Sequence, residues 1–171
     1  MKLIRPCVLA TALLLPVPGL AQDAAKPLPP AAGEVILTVA GQLPTTHPGE
    51  EIPLDRAFLD TLPHRELVTS TSVTDGKHHF EGFLMRDLLE RLGTGGDTAV
   101  AIALNDYIVE IPVRDFHDYD VVVATHMDGQ QLTRRDKGPL WIVYPRDDHT
   151  ELQDIRYDYR WVWQLRRLEI Q

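Results

Sequence analysis

The stretch ELVTSTSVTDGKHHFEGFLMRDLLERLG, residues 66–93, starts as an extended segment, crosses a polar patch with two adjacent histidines and ends as a helix. Its first part, RELVTSTSV, is rich in Thr and Val and reads as a strand, with Thr74-Asp75-Gly76 as a turn. In its last part, apolar residues fall at 84, 85, 88, 89 and 92. That i, i+3, i+4 spacing predicts an amphipathic helix stopped by Gly93. A polar segment between a strand and a helix is a common place for chemistry. The reactive groups here are hydroxyls, imidazoles and one carboxylate. If residues 78 and 79 are extended, the two imidazoles diverge.

Working outward, EVILTVAG (34–41) predicts a strand. IPLDRAFLDTLP (52–63) predicts a short helix capped by Asp55 and stopped by Pro63. TAVAIAL and DYIVEIP predict two strands joined through Asn105-Asp106, and VRDFHDYD a short helical or loop segment. VVVATHM is a strand, Asp128-Gly129 a type I′-like turn, QQL the return, and GPLWIVYP a further strand. RDDHTELQDIRYDYR (146–160) reads as a long polar loop. WVWQLRRLEI reads as a closing strand in which Trp161 and Trp163 share one face. Seven or eight strands with two or three short helices, unevenly mixed, indicate an α+β domain rather than βαβ alternation.

The N-terminal residues predict export. Lys2 and Arg5 precede the apolar CVLATALLL, and Gly19 and Ala21 sit at −3 and −1 of a cleavage site. Residues 1–21 are therefore expected to be a signal peptide and 22–33 a flexible Pro/Ala leader. Residues 34–171 form the domain, in the periplasm, without direct membrane insertion. Cleavage takes the formal net charge from −8 to −10, which argues against nucleic acid as a partner. It also removes Cys7, the chain's single cysteine, so no thiolate remains as nucleophile or soft-metal ligand. The histidines at 47, 64, 78, 79, 117, 126 and 149 show no H-E-x-x-H spacing, so no metal site is expected. Ser70 and Ser72 lie in no G-x-S-x-G or S-x-x-K motif, and no residue is assigned a catalytic role. All three tryptophans and many Tyr and Arg residues fall after residue 140. Such residues equip a protein to hold a flat aromatic ligand, and equally to pack a core.

The ordered series HHFEGFLMRDLLERLG, ALNDYIVEIP, VVVATHMDGQQLTRRDKGPLWIVYP and WVWQLRRLEI resembles the molybdopterin-binding domain of the sulfite oxidase superfamily over residues 34–171. The resemblance implies a mixed-sheet sulfite oxidase-like fold. It also implies a metal-ligating cysteine just after the strand that here reads LVTSTS, where this chain has Thr71 and Ser72. Positions that hold the cofactor's phosphate in the family carry Trp141, Trp163 and Lys137-Gly138. The chain is similar to small, exported, cysteine-less members that resemble pterin-binding regulators of membrane-bound cyclic di-GMP enzymes. The resemblance thus points to a non-catalytic pterin sensor whose partner is the periplasmic domain of a membrane-bound signalling protein. The pterin would be a ligand rather than a redox cofactor, and the missing thiolate points away from molybdenum. Asp106 is then the carboxylate for the pterin's amino edge, and Trp141 and Trp163 are the stacking rings. Arg135, Lys137 and Arg160 are donors, and Thr71 and Ser72 form the pocket floor. His79 and Tyr107 complete the expected ligand-binding set. The alternative is a molybdopterin-dependent oxidoreductase with a non-cysteine metal ligand.

Overall fold

A computed structural model describes residues 28, 30–43 and 51–171. The signal-peptide reading, Cys7, His47 and residues 22–27 and 29 of the leader lie outside the described residues. Among the described residues, no helix is long and apolar enough to cross a membrane.

Among the described residues, ten strands form two sheets. In the first sheet, β2 (Ile52–Asp55) pairs with β1 (Val35–Gly41), and β1 runs parallel to β10 (Leu165–Ile170). β10 then pairs antiparallel with β5 (Thr98–Ala103), and β5 with β6 (Ile108–Pro112). The second sheet orders β3 (His64–Ser70), β4 (Lys77–Leu84), β7 (Val122–Met127) and β8 (Gln130–Gln131). In it β9 (Trp141–Val143) also pairs with β7. Four short helices among the described residues fill the connections: α1 (Arg56–Leu59), α2 (Met85–Leu92), α3 (Arg114–Asp118) and α4 (Ile155–Asp158). This is the expected α+β domain with mixed sheets and short helices.

Local signals explain two elements well. Asp55 caps α1: its carboxylate accepts the Phe58 N–H at 2.9 Å and those of Ala32 and Gly33 at 2.8 and 2.9 Å. The same carboxylate therefore ties residues 32 and 33 to the helix. These bonds, Phe58's first, hold it below the usual carboxylate range. In α2, Met85, Leu88, Leu89 and Leu92 are buried, and Gly93 takes the left-handed φ of 66° that ends the helix. Leu84 belongs to β4 instead. β4 crosses β7 closely at Gly82, where a Cβ would lie 2.0 Å from the Val123 carbonyl oxygen.

Three expectations need correction. There are more strands than the seven or eight anticipated, because Ile52–Asp55, read as the start of a helix, is β2, and the HHF segment is part of β4. Residues 146–160 are not a plain loop: they hold a 3-10 turn (Thr150–Gln153) and α4, capped by the Asp154 side chain. WVW is not part of the closing strand. Gln164 adopts φ 54°, its N–H donates to the Lys137 carbonyl, and its side-chain amide donates to the carbonyls of Arg134 and Asp136. That clasp kinks the chain before β10, so Trp161 and Val162 are both buried while Trp163 is half-buried.

Candidate functional site

β3 ends at Ser70, and the chain turns through residues 71–76 before β4 begins. Thr71 turns inward. Its hydroxyl oxygen accepts the Val73 N–H at 3.1 Å and lies 2.7 Å from the Thr74 hydroxyl, so the turn is closed by its own side chains. Around this turn opens a cleft of about 540 Å³ lined by Ser72, Val73, Thr74, Asp75 and His78.

The cleft is braced from two sides. The Ser70 hydroxyl donates to the Asp147 carboxylate at 2.6 Å, and the Ser70 N–H to the same group at 3.0 Å. Lys77 Nζ lies 3.1 Å from that carboxylate, and Arg146 Nη1 donates to the Ser70 Oγ at 3.4 Å. The Ser70 hydroxyl first, then its N–H and the Lys77 ammonium, hold Asp147 below the usual carboxylate range. On the other side, His78 Nδ1 lies 2.7 Å from Asp128 and its Nε2 3.0 Å from the Asp75 carbonyl oxygen. The His78 bond, followed by the His79 N–H, lowers Asp128 in turn.

A second polar group lies inside the molecule. Arg160 is ion-paired with Asp115, and the Tyr144 hydroxyl donates to the same carboxylate at 3.0 Å. Burial, with the Asp115 charge behind it, pushes the Tyr144 phenol well up. The Arg160 guanidinium also lies 4.6 Å from the Tyr157 ring centroid and 5.5 Å from that of Tyr159.

The expected ligand set does not gather in one pocket. Thr71 and Ser72 belong to the cleft region. His79 leaves β4 on the face opposite His78 and pairs with Glu66 at 3.2 Å. Asp106 is on the β5–β6 turn, 82% exposed, with its carboxylate on Arg166 at 2.7 Å. Tyr107, beside it, donates its hydroxyl to the Tyr159 carbonyl at 2.8 Å. Arg160 is committed to Asp115 and Arg135 is exposed to solvent.

Trp141 is 0% exposed, so it presents no face to a ligand. Phe80 meets it edge-on at 5.3 Å between centroids, and Lys137 Nζ lies 5.6 Å from its ring centroid. Trp163 pairs with it through an isolated β-bridge and keeps partial exposure. The chain of contacts His78–Phe80–Trp141–Lys137 links the cleft to the Lys137 segment through packed rings. Asp75, His78, Lys77 and Asp147 were not among the expected site residues. The nearest hint was the alternation of Lys77 and His78 after a turn.

Among the described residues, no three His, Cys, Asp or Glu side chains form a group that could hold a metal ion. No curated protein matches the chain. Among solved structures it is similar to the sulfane dehydrogenase SoxCD from Paracoccus pantotrophus, with TM-score 0.59 and 18% identity. The alignment covers 80% of this chain and 38% of that one, so the chain spans well under half of its neighbour's length. At this identity the likeness concerns the fold. The family model for the oxidoreductase molybdopterin binding domain matches residues 60–147, from the end of α1 through β9 to Asp147. That match takes in just over half of the chain and includes both walls of the cleft, and the protein belongs to the oxidoreductase molybdopterin-binding domain family.

Proposed function

We propose that this protein is an exported, non-catalytic pterin-binding sensor. In this reading it holds its ligand in the Ser72–His78 cleft and regulates a membrane-bound signalling partner of the cyclic di-GMP type. One observation carries the reading. At the end of β3, where the family resemblance calls for a thiolate, the chain offers the hydroxyls of Thr71 and Ser72, and its single cysteine is Cys7. A hydroxyl of ordinary pKa is a poor ligand for a soft, high-valent metal. The position resembling a phosphate-holding arginine is Trp141, and its ring is sealed against Phe80. These residues do not fit a thiolate-anchored molybdenum cofactor, and no reaction step is derived through one.

They fit a smaller guest better. A pterin has a flat bicycle and a donor edge formed by its 2-amino and N3–H groups. A carboxylate accepts that edge through both oxygens. Asp75 lines the cleft and takes the role first given to Asp106. His78 offers a flat ring beside it, and Ser72 a hydroxyl. Asp147 joins the cleft wall to residues 146–160, which gives the bound state a route to a partner-facing surface. A ligand signals only if the partner binds loaded and empty forms differently.

The second reading, a molybdopterin-dependent oxidoreductase with a non-cysteine ligand, is favoured by the name of the family model. Native purification separates the two. Mass spectrometry of released small molecules is expected to find a pterin, and metal analysis no stoichiometric molybdenum. Calorimetric titration of the purified protein with oxidised and reduced pterins is expected to give saturable binding weakened by Asp75→Asn. Stoichiometric molybdenum, or pterin binding indifferent to Asp75, would overturn the sensor reading.

A further inference from the structure

Two adjoining cavities lie along β1, and none of their lining residues lines the Ser72 cleft. The smaller, about 330 Å³, is lined by Arg134, Arg166 and Arg167 together with Thr38 and Glu51. The larger, about 850 Å³, is lined by Ala57, Leu132 and Arg56, and the two share Ile36, Arg134 and Pro139. Three guanidinium groups around one small cavity stand out in a chain of net charge −8.

Arg134 and Arg166 each have one carboxylate partner among the described residues, and Arg167 has two, Glu51 and, at 4.0 Å, Glu169. Arg134 bonds Glu34 at 2.6 Å, Arg166 bonds Asp106 at 2.7 Å and Arg167 bonds Glu51 at 2.7 Å. Those carboxylate side chains are 71%, 82% and 57% exposed, and ion pairs this open contribute little. Arg166 also donates Nε to the Ala103 carbonyl at 2.9 Å, which aims its fork. A guanidinium has five N–H donors, so on each most have no hydrogen-bond partner among the described residues.

We propose that these cavities form a second binding site, for a small phosphorylated organic molecule. The phosphate takes the arginine cavity and the organic body takes the larger cleft beside Ile36, Ala57 and Pro139. A tetrahedral dianion presents three acceptor oxygens to three forks, whereas a planar carboxylate presents two. The rim carboxylates are exposed enough to swing aside when the anion enters. This inference is independent of the pterin reading.

Calorimetry on the full chain at low ionic strength, with inorganic phosphate and with phenyl phosphate, tests it. Phenyl phosphate is expected to bind saturably and more tightly than inorganic phosphate. Arg134→Gln and Arg167→Gln are expected to weaken both by about tenfold or more, in the range of lost charged hydrogen bonds. Glu51→Gln removes the shorter of the two Arg167 ion pairs and is expected to tighten both by about twofold to fivefold, the scale of one exposed ion pair. Ala57→Glu is expected to abolish the preference for phenyl phosphate while leaving inorganic phosphate bound. No saturable binding up to about 10 mM, binding only to vesicles of anionic phosphatidylglycerol, or a Glu51→Gln variant no tighter than the parent overturns the proposal. An intact phenyl phosphate preference in Ala57→Glu overturns the placement of the organic body.

Discussion

Two acid–base clusters in this molecule use similar residues to opposite ends. Asp115 with Arg160 and Tyr144 is enclosed: its side chains are 5% and 14% exposed at the ion pair, and rings cover them. Asp147 with Ser70 and Lys77 opens beside a cleft, and its lysine is 64% exposed. In the first, the Asp115 carboxylate and the Arg160 Nη1 are spent on each other inside the molecule, and the Arg160 Nε is buried without a partner. In the second, the Asp147 carboxylate and the Ser70 hydroxyl hold the end of β3 in place while Ser72, Asp75 and His78 line the cleft beside it. The lesson is that an arginine near aromatic rings marks a site only when its charge is unspent. Arg160 was expected as a ligand donor, and its Nη1 is paired with Asp115.

The sharpest break is Asp115→Ala. It leaves Arg160 buried without its partner and is expected to cost about 3–5 kcal/mol in urea unfolding, the usual loss when one member of a buried pair is removed. Trp141→Ala belongs with it, also at about 3–5 kcal/mol, because it empties core volume against Phe80. A loss below about 1 kcal/mol, well under that cavity range, would mean that the ring is more open than its packing indicates. Tyr144→Phe removes one hydrogen bond to the charged Asp115 and is expected to cost about 1.5–3 kcal/mol.

The open cluster is expected to respond through pH. Asp147 has a lowered pKa when folded, so its contribution is fully present above the unfolded carboxylate value of about 3.9. It is lost as pH falls through the lower folded value. The stability gap between the parent and Asp147→Asn should therefore close as acid is added, and NMR titration should show Ser70→Ala moving the Asp147 midpoint upward. A pH-independent gap would break the comparison. The smallest effect on stability is Ser72→Ala, expected to stay within about 0.5 kcal/mol as an exposed substitution. Pterin affinity is expected to fall in that variant.

Much of the fold was legible because its signals are local. Asp55 caps four residues of helix within its own turn, the leucines of α2 repeat at helical spacing, and Asp128-Gly129 carries the two left-handed residues of its turn. The kink at Gln164 was not legible, since its partners are carbonyls of Arg134 and Asp136 about thirty residues away. The site divides the same way. The hydroxyl run at 69–72 was visible as a place where chemistry had changed. Its brace from Asp147 is 77 residues distant and has no local signature. Trp141 was misread because a tryptophan after Gly-Pro-Leu looks alike whether it faces a ligand or Phe80.

β10 stands between two hairpins, β1–β2 and β5–β6, and joins them by parallel pairing on one side and antiparallel pairing on the other. Two-stranded ribbons of this kind are marginal alone. Those six residues therefore act as the keystone of the first sheet. Without Leu165–Ile170 between them, the two halves of the first sheet would each present an inner edge of unpaired backbone N–H and C=O groups, the kind of edge that invites pairing with another chain.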